Sequence, residues 1–276
     1  MDVVAETVEQ GVVERRFDLK AETDVVPGIL WLPEGASGPR PTILIGHGGT
    51  QHKRVPNVLG LARRFVRHLG YAAVALDAPG HGDRITDPAE IEERRRRLEA
   101  RIGSGTRGSD DGAPLFTPEQ AQQAVVRTRT GVAEWRTLLD DLASVPGLGS
   151  GPFGYWGVSM GTHIGLPFVA GEPRISAAVL GLAGLHNRPG AEEFEQAARS
   201  LRIPVLFVFQ WDDELMSRES GLALFDAIGS TAKTMHVNPG GHVQTPLFER
   251  DAADAFFIRH LGRVESAPAA SRSGSP

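Results

Sequence analysis

The sequence has no cysteine in its 276 residues. That absence removes disulfides, thiolate metal sites and a cysteine nucleophile together. There is no basic surplus either: the formal net charge is −5, so no long-range field draws the chain to nucleic acid or anionic lipid. No apolar stretch approaches the ~20 residues needed to cross a bilayer. The first residues carry Asp2, Glu6 and Glu9, whereas a secretory leader opens with basic residues and an apolar run. The expectation is a cytoplasmic protein whose partners include neither nucleic acid nor a membrane. No G-x-G-x-x-G follows an early strand, and no His-Glu-x-x-His occurs, which argues against dinucleotide and zinc-hydrolase chemistry. His47 with His52, and Asp77 with His81, are the only loose candidates for a metal site.

What is present is an ordinary globular chain, 41% hydrophobic. Short apolar runs alternate with helical patterns. Residues 12–19 and 25–32 read as an antiparallel hairpin, and 42–45, 72–76, 153–158, 177–182, 205–209 and 234–237 as further strands. Residues 58–69, 118–142, 162–169 and 252–261 read as helices, with Thr117 as N-cap and Pro118 at the first position of the longest. This alternation predicts an α/β class, a mostly parallel central sheet with helices on both faces. One domain over 1–263 accounts for it, and the Ala/Ser/Pro/Gly-rich tail over 264–276 reads as a disordered extension.

Residues 84–117 interrupt the alternation after the fourth predicted strand. Glu92-Glu93-Arg94-Arg95-Arg96-Arg97 is followed by a Gly/Ser/Asp-rich stretch over 103–112. Two readings stand: a lid or cap over the carboxyl edge of the sheet, or a solvated surface insertion.

Gly157-Val158-Ser159-Met160-Gly161 is a G-x-S-x-G pentapeptide running from a strand into a helix. A sharp strand-to-helix turn of this kind presents a serine above the sheet edge, and the helix N-terminus favours developing negative charge there. With Gly46-His47-Gly48-Gly49 and Asp77-Ala78-Pro79-Gly80-His81-Gly82 after the third and fourth strands, the chain resembles the α/β-hydrolase superfamily. Its dienelactone-hydrolase-like and small bacterial esterase branches are the most similar, and the resemblance runs from about Val12 to Leu261.

The resemblance implies a catalytic triad in the order Ser159, Asp213, His242, with Ser159 as nucleophile. His242 closes the loop Asn238-Pro239-Gly240-Gly241-His242 after the last strand and is the implied general base; His236 is its poorer rival. Trp211-Asp212-Asp213-Glu214 follows the strand before it. Asp213 best matches the family's acid, and Asp212 is the runner-up. The oxyanion hole falls to the backbone N–H groups of Met160 and Gly49, with Thr50 second to Gly49. By the same similarity His47 orders that loop rather than acting in catalysis. Thr50 and Trp211 are candidates for the substrate pocket, with Trp156 and Met160 near them. The implied activity is cleavage of a small-molecule ester or lactone through an acyl-enzyme, with no cofactor and no metal. Thioester, amide or C–C hydrolysis, or a non-catalytic binding role, are the alternatives.

Overall fold

A computed structural model describes residues 1–22, 24–109, 117–145, 148–149, 151–186 and 188–264. The strands are β1 (Asp2–Glu9), β2 (Val12–Lys20), β3 (Val25–Pro33), β4 (Thr42–Gly46), β5 (Ala72–Leu76), β6 (Phe153–Gly157), β7 (Ile175–Gly181), β8 (Val205–Gln210) and β9 (Lys233–Asn238). They form one nine-stranded sheet in the order β1-β2-β3-β5-β4-β6-β7-β8-β9. β1, β2 and β3 join antiparallel, and β4 to β9 run parallel.

The sequence dictates this division. β4, β5 and β8 are buried at every position, the unbroken apolar run that a parallel strand covered on both faces requires. β2 alternates buried with more exposed residues, and β1 is exposed throughout. β1 was not foreseen: its Asp2-Val3-Val4-Ala5-Glu6 stretch lacks the apolar content of a core strand, and pairing with β2 holds it in place. Counting it makes the expected fourth strand β5.

The helices are α1 (Pro56–Leu69), α2 (Pro88–Gly103), α3 (Pro118–Leu142), α4 (Met160–Ala170), α5 (Ala191–Ser200), α6 (Arg218–Ala227) and α7 (Phe248–Leu261). Two-residue alternation along the strands splits the core. Leu44 and Val74 pack with α3, α4 and α5 on one face. Ile43, Ile45, Ala73 and Ala75 pack with α1 and α7 on the other. α3 opens as expected: the Thr117 hydroxyl accepts from the Gln120 N–H, and the Gln120 side chain returns the bond in a capping box. α5 and α6 were not foreseen, because each is a short helix with only a few buried positions.

α2 is the charged part of the insertion. It buries none of its residues. It is held instead by its Asp87 N-cap and by ion pairs one turn apart, Glu90 with Arg94 and Glu93 with Arg97, each worth a few tenths of a kcal/mol. The second part of the insertion, 110–116, lies outside the described residues, as does the predicted tail over 265–276. No helix among the described residues is long and apolar enough to cross a membrane.

Candidate active site

β6, the third of the six parallel strands, ends at Gly157, and α4 begins at Met160. Ser159 sits between them with φ 57° and ψ −121°, a left-handed conformation that costs energy for any residue but glycine. The surroundings hold it there. Ser159 N–H donates to Gly181 O at 2.9 Å. The buried Thr162 hydroxyl lies 2.8 Å from Gly157 O and 2.7 Å from Gly181 O, and accepts the Gly181 N–H at 2.8 Å. The flanking glycines are required by close approach: a Cβ on Gly161 would stand 2.5 Å from Gly46 O, and one on Gly157 2.7 Å from the Tyr155 ring.

His242 Nε2 lies 2.9 Å from Ser159 Oγ, and its Nδ1 lies 2.8 Å from Asp213 Oδ2. The other Asp213 oxygen accepts the N–H groups of Leu215 at 2.8 Å and Met216 at 3.0 Å. A carboxylate so engaged only accepts, so Nδ1 carries the imidazole proton and Nε2 offers its lone pair to the serine hydroxyl. The loops bearing Asp213 and His242 are tied together: His242 N–H donates to Glu214 Oε2 at 2.8 Å, and Gln210 Nε2 to Gly241 O at 3.1 Å. Both Asp213 and His242 are buried.

Asp212 points elsewhere, accepting from Arg218 at 3.1 Å and from the Gly240 N–H at 3.4 Å. His236, on β9, is engaged with Glu249 of α7 at 2.9 Å and does not meet the serine. His47 is buried, and its Nε2 accepts the Ala78 N–H at 3.0 Å. Its Nδ1 therefore donates to Gly48 O at 2.8 Å. Burial holds this imidazole neutral, with a pKa down to about 4. Gly48 O belongs to the same planar peptide as Gly49 N–H, so fixing the carbonyl fixes the direction of the donor. Met160, the first residue of α4, has no acceptor for its N–H within the helix.

Ser159, Met160, Gly49 and Thr50 line one cavity of about 350 Å³. α2 also lines it, through Glu90, Arg94, Arg97, Leu98 and Arg101.

No protein-family model matches the chain, and no curated protein matches it by sequence. Solved structures do. A cold-adapted esterase from an Arctic intertidal metagenomic library, in a PEG-bound complex, is 32% identical with a TM-score of 0.77, over 95% of this chain and 100% of that one. The chain belongs to the α/β-hydrolase family of esterases. Two other α/β-hydrolases share the fold: a dienelactone hydrolase from Anabaena variabilis (16% identity, TM-score 0.62, 91% of this chain and 100% of that one) and an acetyl xylan esterase from a Paenibacillus species (15%, 0.70, 94% and 88%).

Trp211 is a correction. It was expected to line the substrate pocket, but it is 40% exposed and lies outside the cavity lining. The Arg218 guanidinium sits 4.0 Å over its ring, and Phe209 meets its edge. Trp211 is the first residue of the turn after β8, so the burial of both faces of that strand does not extend to it. Trp156 packs with the α1–α7 side of the core. Among the described residues no three His, Asp or Glu gather as a metal site. Asp77 is engaged with Lys53, at 2.5 Å from Nζ and 2.9 Å from the backbone N–H. Several cavity or support residues were missed in this α/β-hydrolase: Thr162, Glu214, His163 and Arg188. A signal existed for one of them: Thr162 is a polar residue inside an apolar helix segment.

Proposed function

We propose that the chain is a serine hydrolase that cleaves a carboxylic ester or lactone through an acyl-enzyme intermediate. Ser159 Oγ attacks the substrate carbonyl as His242 Nε2 takes its proton. Asp213 holds the Nδ1–H tautomer and stabilises the imidazolium without taking the proton. The Met160 and Gly49 N–H groups receive the oxyanion. Collapse of the tetrahedral intermediate expels the alkoxide, to which His242 returns the proton. Water, deprotonated by the same imidazole, then releases the acid and restores the serine. The observation that carries this reading is Nε2 at 2.9 Å from the strained serine's Oγ, with Asp213 at 2.8 Å behind it.

The domain runs over 1–263, and within the 84–117 insertion its described part, 84–109, acts as a lid. α2 lines the cavity that holds Ser159, and its last turn and the chain after it fasten to the loop bearing Asp213. Arg101 Nε donates to Glu214 O at 3.0 Å, and Gly108 N–H to Asp213 O at 2.9 Å. A cavity of about 350 Å³ lies at the small end of the ~300–1,000 Å³ typical of ligand pockets. Short esters and lactones fit it. The test is steady-state hydrolysis of short-chain esters by wild type and Ser159→Ala, with and without EDTA. Wild type should be unaffected by the chelator, and the variant should lose about 10⁴-fold or more in kcat/KM. Near-normal turnover by a folded Ser159→Ala protein would overturn the assignment.

A further inference from the structure

Five buried side-chain polar atoms among the described residues have no hydrogen-bond partner. Three of them belong to two neighbouring residues of the active-site cavity: Nε and Nη1 of Arg188 and Nε2 of His163. Native interiors leave few such atoms unanswered, and a cation is the costliest of them to leave so. Nothing in the triad chemistry above uses either residue.

The two side chains share one apolar support. The Arg188 guanidinium lies 3.4 Å from the centre of the Phe194 ring, and the His163 ring meets Phe194 edge-on at 5.8 Å. Phe194 is buried in the core. The contact covers one face of the guanidinium and fixes its plane, but gives its N–H groups no acceptor. Burial pushes the Arg188 pKa down to about 9, so the group remains a cation at neutral pH. Burial, then the Arg188 charge, then His242 hold His163 well below the usual histidine range. A neutral imidazole keeps one N–H to donate.

The rest of the lining is positive as well. Its described residues include five arginines (Arg94, Arg97, Arg101, Arg127 and Arg188) and a single carboxylate, Glu90. Glu90 is already paired with Arg94 on its own helix, Arg97 with Glu93, and Arg101 with Glu214 O. The cavity therefore holds an excess of cationic donors facing the space where an ester would lie.

We propose that the substrate ester or lactone carries a carboxylate, and that Arg188, with His163 beside it, receives that carboxylate in the cavity that contains Ser159. The planar guanidinium suits a planar carboxylate. The inference rests on the serine-hydrolase reading, and adds the class of substrate.

Four esters test it, with the released acid followed by titration at constant pH: monomethyl glutarate and the acetate ester of γ-hydroxybutyrate, against neutral methyl hexanoate and butyl acetate. The first pair places the carboxylate on the acyl or the alcohol side. Wild type should prefer one anionic ester over its neutral counterpart by about tenfold to a hundredfold in kcat/KM, the range of a charged hydrogen-bonded contact. Arg188→Met should collapse that ratio toward one, and Arg188→Lys should keep part of it. If circular dichroism shows the Met variant unfolded, Arg188→Gln, which keeps amide donors without charge, replaces it. A wild-type ratio near one, or a preference that survives removal of the charge, overturns the proposal. If wild type hydrolyses none of the four esters, or Ser159→Ala hydrolyses them equally well, the serine-hydrolase reading itself fails.

Discussion

The two walls of the cavity are built in opposite ways. The Ser159 wall hangs from the ends of β4, β6, β7, β8 and β9, the first four of which are nearly all buried, and the polar groups around the serine have specific partners. Thr162 answers Gly157 and Gly181, Asp213 answers His242, and His47 answers Ala78 and Gly48. The α2 wall buries no residue and relies on surface ion pairs and a few bonds to the 212–216 loop. The proposed chemistry thus lies on the packed side, and the side held by few contacts is the one that can open at little cost.

If the first wall is rigid because the groups around the serine are held by specific partners, single substitutions there should be severe and specific. Asp213→Asn is expected to lower kcat by roughly 10³–10⁴, since the amide can present N–H to Nδ1 and reverse the tautomer. Asp212→Asn should change kcat by less than about threefold, because Asp212 contacts Arg218 and Gly240 rather than the imidazole. Equal losses in the two variants would break the distinction. Next in size is His47→Ala. It frees the Gly48–Gly49 peptide and should cost about 10–100-fold in kcat with little change in KM, less than outright deletion of an oxyanion donor. A pure KM effect would give His47 a different role.

Much of this wall was legible in the sequence. The glycines about Ser159, the Pro-Gly-Gly loop before His242 and the unbroken apolar strands each have a local physical cause. The 211–214 acidic run was harder. Three adjacent carboxylates are equivalent by composition, and only the turn after β8 decides that Asp213 faces inward while Trp211 faces out. The α2 wall was half legible: charge spacing gave its helix, but its place over the cavity depends on Arg101 and Gly108 meeting the backbone of 213–214. A backbone carbonyl leaves no trace in sequence. Nor does an unanswered guanidinium, which becomes visible only when its neighbours are known.

The looser wall should give smaller, graded effects. A Cβ on Gly108 would come within 2.5 Å of the Met216 backbone, so Gly108→Ala should push the proposed lid from the loop bearing Asp213. The expectation is a loss of about three- to tenfold in kcat/KM and a changed preference between short and bulky esters, with the melting temperature shifted by only a few degrees. A large fall in stability with an unchanged preference would show that the insertion serves the fold instead.

The smallest effect separates the walls by pH. Burial lowers the folded-state pKa of His47 and of His81 to about 4, against an ordinary value near 6.5. Between those values the unfolded chain binds protons that the folded one refuses. These histidines therefore contribute full stability above about pH 6.5, and the contribution is lost as pH falls toward 4. Urea midpoints should decline across that window, and His81→Asn or His47→Gln should flatten the decline.

The central claim is that one serine, activated by one histidine, forms a covalent bond to the substrate. Reaction with a fluorophosphonate probe, followed by intact-mass measurement and peptide mapping, tests it most directly. The account predicts a single adduct on the peptide carrying Ser159, none in Ser159→Ala, and labelling slowed by orders of magnitude in His242→Ala. A fully active protein that takes no label, or takes it on another residue, would contradict it.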